Sequence, residues 1–212
     1  KERARGLTAV TRENVFVSNG SDEMINLLGK TFLSLGDEAI IADPTFPQFE
    51  TTILSMGAKA VKVPVDEAFQ HDLAGMLAAI TDKTKMIFLC NPNNPTGTYL
   101  NKNAISAFLA QVPEHILVVM DVAYCEYAET ETDYDQGDDY VLQQSNVIVL
   151  RTFSKVYSLA GLRIGYAIAC PALLAQMQKV REPFNVNIIA QAAAIAALDD
   201  ADHVARTLAN NE

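Results

Sequence analysis

Residues 146–169 read NVIVLRTFSKVYSLAGLRIGYAIA, two short apolar runs on either side of a polar segment. Short apolar runs bounded by polar residues are typical of strands that are buried on both faces of a sheet. The intervening TFSKVYSLAGL is marginal in length for a crossover helix, so we predict that the two strands run antiparallel. Lys155 lies in this segment, just after the first strand.

The same alternation of apolar runs and amphipathic stretches extends through the rest of the chain. The other apolar runs include VFVS, EAIIAD, AVKVPV, KMIFLC and ILVVMDV. Strands that alternate with helices form crossover units, which build a mostly parallel sheet covered on both faces. We therefore predict an α/β fold with a mixed, mostly parallel sheet sandwiched between helices.

Composition excludes several classes of protein. The chain has 212 residues, 50% of them hydrophobic, with a formal net charge of -10. This length is enough to bury a substantial core, and the negative charge disfavours binding to nucleic acid or to an anionic membrane surface. The longest apolar helical stretch, IIAQAAAIAAL, is too short to span a bilayer. We predict neither a nucleic-acid partner nor a membrane partner.

The sequence predicts neither a metal site nor a disulfide bond. The three cysteines are Cys90, Cys125 and Cys170. Their odd number and the absence of CxxC spacing favour a reducing, cytoplasmic setting. The histidines are isolated from one another, and we interpret them as surface residues or as hydrogen-bonded structural residues. Residues 126–140, EYAETETDYDQGDDY, lack the ligand spacing of a calcium loop, so we interpret them as a solvated, mobile loop.

Five of the apolar runs are followed by polar segments. Three of these segments contain Gly, Pro or both, and the other two contain Asp121 or Lys155. These segments are SNGSDE, DPTFPQF, NPNNPTG, DVAY and RTFSK. In open α/β sheets, ligands bind outside the carboxyl ends of the strands. We therefore expect a single ligand to contact all five segments.

Two of these segments offer groups that suit a phosphate. Gly20, Ser21 and Asp22 open a helix, whose free N–H groups and positive dipole end attract anions; an ordinary N-cap is the alternative interpretation. Thr152 and Ser154 could add hydroxyl donors, and a fixed cation could come from an arginine farther along, Arg163. The nearby GKT at residues 29–31 is not a phosphate loop, because Met24 stands where the earlier glycine is required.

The remaining candidates suit a ring and an aldehyde. Asp121 ends an apolar strand, where a buried carboxylate needs a cationic partner, although a capping aspartate is the alternative. Asn94 and Tyr124 could each donate a hydrogen bond to a phenolate, or could be a turn residue and a core tyrosine. Lys155 could be a surface lysine; as a nucleophile it needs a pKa lowered by roughly three units from about 10.4, which burial and a neighbouring cation could supply. Pyridoxal 5'-phosphate combines phosphate, pyridinium, phenolate and aldehyde in one ligand.

The motifs NPNNPTG and RTFSKVYSLAGLRIGYAIA together resemble those of the fold-type I, class I/II aminotransferases, most closely the histidinol-phosphate aminotransferase branch. The resemblance runs from about Asn14 to the last helix. It implies that Lys155 forms the Schiff base with pyridoxal 5'-phosphate and that Asp121 and Tyr124 complete the catalytic set. The other implied cofactor contacts are Ser21, Asp22, Phe46, Asn94, Thr152, Ser154 and Arg163. No metal is implied.

Two departures from the family pattern stand out. The family usually has Asp-Glu-Ala-Tyr where this chain has Asp121, Val122, Ala123 and Tyr124, and we expect this change to be tolerated. The family's N-terminal segment, small C-terminal domain and substrate-binding arginine have no counterpart here. KERARG at the start resembles the tail of a helix and ADHVARTLANNE at the end is a helical pattern, so we expect both ends to be cut from a longer protein. We expect residues 1–212 to be the cofactor-binding large domain alone.

The resemblance implies a transaminase that moves an amino group between an amino donor and a 2-oxo acid, with histidinol phosphate and 2-oxoglutarate as the expected pair. It also implies a homodimer. An aromatic amino-acid aminotransferase and a threonine-phosphate decarboxylase remain alternatives on the same scaffold. A non-catalytic cofactor-binding fragment or regulator module is the alternative from another class.

Overall fold

The computed structural model describes residues 10–211, so KERARG and the helix tail expected there lie outside the described residues. The strands are β1 (Val15–Ser18), β2 (Glu38–Asp43), β3 (Lys59–Pro64), β4 (Thr84–Cys90), β5 (Leu117–Asp121), β6 (Val147–Thr152) and β7 (Gly165–Ala169). The helices are α1 (Gly20–Phe32), α2 (Pro47–Ser55), α3 (Leu73–Ala78), α4 (Lys102–Leu109), α5 (Cys125–Ala128), α6 (Asp138–Gln143), α7 (Pro171–Gln178), α8 (Ile188–Asp199) and α9 (Ala201–Ala209). Each apolar run that the sequence predicted to be a strand is a strand.

The strands form one mixed sheet in the order β1-β7-β6-β5-β4-β2-β3. Neighbouring strands from β6 to β3 are parallel, whereas β7 is antiparallel to both β6 and β1. The register of β6 and β7, from Ile148 opposite Ala169 to Thr152 opposite Gly165, confirms the predicted antiparallel pair. The segment between them holds a short 3-10 turn at Ala160–Leu162. The carboxyl ends of β1, β2, β4, β5 and β6 therefore share one edge of the sheet with the start of β7.

The core lies on both faces of the sheet. One cluster packs side chains of α1, α2 and α7 against the sheet, including Met24, Phe49 and Met177. The other packs α3, α4 and α6 against the opposite face, including Met76 and Phe108. The central strands β4, β5 and β6 are buried almost throughout, which explains their continuous apolar sequence. The sandwich of helices on both faces agrees with the predicted fold class.

The acidic segment 126–140 is more structured than the sequence suggested, so the prediction of a solvated loop is wrong in part. Helix α5 occupies its start and α6 its end, with the hydroxyl of the buried Tyr140 within hydrogen-bonding distance of Ser106. Both carboxylate oxygens of Asp138 accept hydrogen bonds of 2.8 Å from the guanidinium of Arg151, a buried residue of β6. A carboxylate that pairs with a buried arginine is structural, and composition alone does not distinguish it from its solvated neighbours.

His71 also departs from expectation. Its side chain is buried, and neither ring nitrogen has a hydrogen-bond partner among the described residues. Burial lowers the pKa of the imidazole, and the proximity of the Asn93 side chain opposes that shift. Within residues 10–211, no group of His, Cys, Asp and Glu side chains is placed to hold a metal ion, and no helix has the length and apolarity to cross a membrane.

Candidate active site

One cavity at the carboxyl edge of the sheet brings together the ten side chains that the sequence singled out. Its lining includes Ser21, Asp22, Phe46, Asn94, Asp121, Tyr124, Thr152, Ser154, Lys155 and Arg163. They come from the last residues of β5 and β6, from the segments that follow β1, β2, β4, β5 and β6, and from the turn before β7. The expectation that the five polar segments reach one place follows from the parallel order of their strands. The roles of these residues remain predictions.

The start of α1 lies at one end of this cavity, where its geometry suits an anion. Gly20 has a φ of +81°, which a residue with a side chain rarely adopts. A Cβ on Gly20 would lie 2.5 Å from Nη2 of Arg163, and a Cβ on Gly165 would lie 2.8 Å from the backbone nitrogen of Ser21. Two glycines thus allow the helix start, β7 and the guanidinium to approach closely. The first N–H groups of a helix have no intrahelical acceptor, so they are available to an anion here.

Arg163 is fixed beside these N–H groups. Its backbone has a φ of +55°, in the left-handed region. Its Nη1 donates to the carbonyl oxygen of Ala160 at 3.0 Å and to Oγ of Ser154 at 3.4 Å, and its Nη2 donates to a carboxylate oxygen of Asp22 at 2.9 Å. The Ser154 N–H donates to Oγ1 of Thr152 at 3.1 Å. Hydroxyls and a guanidinium therefore converge on the same end of the cavity as the helix start.

Asp121 lies at the floor of the cavity, as the last residue of β5. It is 3% exposed, and one carboxylate oxygen accepts a hydrogen bond of 3.1 Å from the N–H of Ala123. Burial raises the pKa of this carboxyl to about 6, and the hydrogen bond from Ala123 opposes that rise. The charge of Asp22 raises the pKa further, whereas Lys155 lowers it. Because burial disfavours the charged form of this carboxyl, a cationic partner would stabilise it.

Lys155 lies on the turn after β6, half-buried, and faces an aromatic ring. Its Nζ is 5.0 Å from the ring centroid of Tyr124, within range of a cation–π contact. Its carbonyl oxygen accepts a hydrogen bond of 2.9 Å from the N–H of Ser158, which closes the turn. The turn thus directs Lys155, the one lysine among the described residues that line this cavity, towards the residues that follow β5.

Hydrogen bonds join the two loops that carry Phe46 and Asn94. Asn93 accepts a hydrogen bond of 2.8 Å from Oγ1 of Thr45 and donates one of 3.1 Å to the carbonyl oxygen of Pro44. The ring of Phe46 packs edge-on against Phe49 at 5.6 Å between centroids. These contacts place one aromatic face and one amide at the cavity wall.

Two lining residues were missed in the sequence. Cys90 ends β4 directly beside Asp121 of β5, its partner in register, and Ala123 supplies the N–H that binds Asp121. Cys90 ends its strand as Asp121 does, and this position could have indicated that it lines the cavity. A cysteine at the end of an apolar run, however, is usually an ordinary core residue. Burial, and secondarily the charge of Asp121, raises the pKa of the Cys90 thiol, so it is not a thiolate nucleophile.

The arrangement offers an anion-binding end, a buried carboxylate, an amine and an aromatic wall within one cavity. Such a set can bind a phosphorylated, cationic heteroaromatic ring and present an amine to its carbonyl substituent.

Comparisons with known proteins agree with this chemistry. The family model described as aminotransferase class I and II matches residues 3–212. The histidinol-phosphate aminotransferase of Moorella thermoacetica is 49% identical over 208 residues, which are 98% of this chain and 53% of that protein. Histidinol-phosphate aminotransferase 2 of Carboxydothermus hydrogenoformans is 43% identical over 212 residues, 100% of this chain and 58% of that protein. The chain therefore spans little more than half the length of these relatives.

A solved structure is similar over nearly the whole chain. The histidinol-phosphate aminotransferase from Sinorhizobium meliloti, in complex with pyridoxal-5'-phosphate, superposes with a TM-score of 0.89 at 31% identity. The match covers 98% of this chain and 56% of that one.

Proposed function

The chain belongs to the class I and II aminotransferases, and on that premise we propose that it binds pyridoxal 5'-phosphate and carries the catalytic residues of a transaminase. The observation that carries this proposal is the single cavity in which Lys155, Asp121 and the anion-binding start of α1 meet. The relatives favour histidinol phosphate as the amino donor, with 2-oxoglutarate as the acceptor.

The residues at the start of α1 fit the phosphate of this cofactor. The absence of a side chain at Gly165 lets β7 approach the Ser21 nitrogen, which would lie 2.8 Å from a Cβ there, and Ser21 lines the cavity. Arg163 adds a guanidinium, and Ser154 and Thr152 add hydroxyls. Arginine and helix N–H groups are the donors that bind phosphate most effectively in proteins.

The rest of the cavity fits the pyridine ring. Asp121 would face the ring nitrogen, since its burial favours a cationic partner over water. Asn94 and Tyr124 would donate to the ring hydroxyl, and Phe46 would pack against the ring face. Lys155 would bind the aldehyde.

Pyridoxal 5'-phosphate, when bound, supplies an aldehyde for the amino group and an electron-withdrawing ring that stabilises negative charge at the substrate Cα. Asp121 keeps the ring nitrogen protonated, because its own charge is best compensated by a cation. The Nζ of Lys155, as a free amine, would accept the Cα proton as general base and would deliver it as general acid to the carbon of the former aldehyde. The Tyr124 ring, 5.0 Å from Nζ, orients this amine.

We extend the proposal to the chain's organisation. Residues 1–212 correspond to the cofactor-binding large domain, since they match little more than half of each relative. The active protein is a homodimer that works in the cytoplasm; the free thiols of Cys90, Cys125 and Cys170 support a reducing compartment.

The test uses the full-length protein, meaning these residues with any that flank them in the gene. Wild-type protein should convert histidinol phosphate and 2-oxoglutarate to an oxo product and glutamate without releasing CO2. Lys155→Ala should lose turnover, while Lys179→Ala, an exposed lysine of α7's C-terminal end, should keep it. Normal turnover in Lys155→Ala contradicts the proposal, and CO2 release identifies a decarboxylase instead.

A further inference from the structure

A second cavity adjoins the first on the other side of Lys155. It shares Asn94, Tyr124 and Lys155 with the first cavity, so the two are continuous around the lysine. The side chains that it adds include Tyr99, Tyr127 and Glu131. A substrate whose amine reaches Lys155 therefore has this surface within reach of its other end.

The lining of this cavity is aromatic and carries little positive charge. Among the described residues that form it, Lys155 is the single cation and Glu131 the single carboxylate. The rings of Tyr124 and Tyr127 lie 6.4 Å apart between centroids and are tilted by 50°. Aromatic faces and a carboxylate attract cationic rings and repel anions. The phosphate of a substrate has no cation here other than the catalytic amine.

Tyr99 is held firmly at the edge of this cavity. Its hydroxyl donates to a carboxylate oxygen of Asp133 at 2.8 Å and to one of Glu131 at 3.4 Å. Its ring packs edge-on against Tyr134 at 5.8 Å, and the hydroxyl of Tyr134 donates to the carbonyl oxygen of Asn91 at 2.8 Å. Because these contacts join Tyr99, in the loop between β4 and α4, to the segment between α5 and α6, its ring and the Glu131 carboxylate are positioned before any ligand arrives.

We propose that Tyr99, Tyr127 and Glu131, here called the Tyr99 surface, bind the cationic heteroaromatic end of the amino donor. For histidinol phosphate this end is the imidazole ring, while the phosphate binds elsewhere. The inference rests on the proposed transaminase function and extends it to the residues that select the substrate. Glu131 pairs with the imidazolium, and the tyrosine rings contact its faces.

The test is steady-state kinetics of full-length Glu131→Gln with histidinol phosphate at pH 6 and pH 8. An imidazole titrates near pH 6.5, so it is mostly charged at the lower pH and mostly neutral at the higher one. We expect KM for histidinol phosphate to rise about fivefold at pH 6, as for loss of a partly exposed ion pair, and much less at pH 8. Both kcat and the KM for 2-oxoglutarate should not change.

Two further variants separate the outcomes. Glu114→Gln makes the same charge change at an exposed site before β5, at the opposite edge of the sheet, and should match wild type at both pH values. Tyr127→Leu should raise KM for histidinol phosphate at both pH values, because the aromatic contact does not depend on imidazole charge. An unchanged KM in Glu131→Gln at pH 6, or an equal rise at both pH values, overturns the Tyr99 surface alone. A wild-type enzyme that does not convert histidinol phosphate overturns this proposal and the proposed function together.

Discussion

Gly165→Ala should destabilise the fold and the anion-binding end of the cavity together. The added Cβ would lie 2.8 Å from the Ser21 nitrogen, 2.9 Å from the Arg151 carbonyl oxygen and 3.0 Å from the carbonyl carbon of Gly20. All three are backbone atoms, so α1 and β6 must shift away from β7, because no side chain can rotate out of the way. Overpacking of this kind costs about 1–3 kcal/mol, which for a chain of this length lowers Tm by about 2–12 °C.

The matched control is Gly161→Ala. No atom lies within 4 Å of a Cβ built on Gly161, and a surface change of this kind is worth within about 0.5 kcal/mol. Thermal unfolding by circular dichroism gives Tm, and an absorbance titration gives the affinity for pyridoxal 5'-phosphate. Displacing the Ser21 N–H from a phosphate should weaken the affinity for pyridoxal 5'-phosphate about tenfold or more, because one charge-assisted hydrogen bond is lost. If Gly165→Ala matches Gly161→Ala in both measurements, the close approach of α1 and β7 is not what builds the site.

Three further predictions follow from buried groups. Burial raises the pKa of Asp121 to about 6, so its charge destabilises the folded chain increasingly as pH rises from about 4 through 6. Asp121→Asn should therefore stabilise the cofactor-free chain by up to about 3 kcal/mol at pH 8 and progressively less towards pH 4; an equal effect in urea unfolding at both pH values contradicts this. Arg151→Met should cost about 3–5 kcal/mol because it leaves Asp138 unpaired, and adding Asp138→Leu should restore much of the lost stability; a double variant no more stable than the single one refutes the pairing. Iodoacetamide should label Cys170 first by mass spectrometry, since the other two cysteines are buried; equal labelling of all three argues against the described core.

Most of the fold was predictable because the strands are short, apolar and separated by amphipathic stretches. The antiparallel placement of β7 followed from the length of the segment around Lys155, which leaves no room for a full crossover helix. The ten candidate side chains meet because parallel strands end at the same edge, a rule that requires no knowledge of side-chain packing.

The parts that the sequence did not predict depend on contacts between distant residues. Asp138 is one acidic residue among many, and its burial depends on Arg151 lying opposite it in the folded chain. The environment of His71 likewise depends on packing that no local pattern encodes. Glu131 belongs to the segment that we interpreted as a solvated loop, and no pattern in the sequence singled out Tyr99. The second cavity brings both residues into one lining with Lys155.

The most direct test of the account is to identify the residue that binds pyridoxal 5'-phosphate. Full-length protein is titrated with the cofactor, reduced with borohydride and digested, and the labelled peptide is mapped by mass spectrometry. The account predicts a new imine absorbance band and a label on Lys155, both lost in Lys155→Ala and retained in Lys179→Ala. Absence of the band in folded full-length protein, or a label on another lysine, would contradict it.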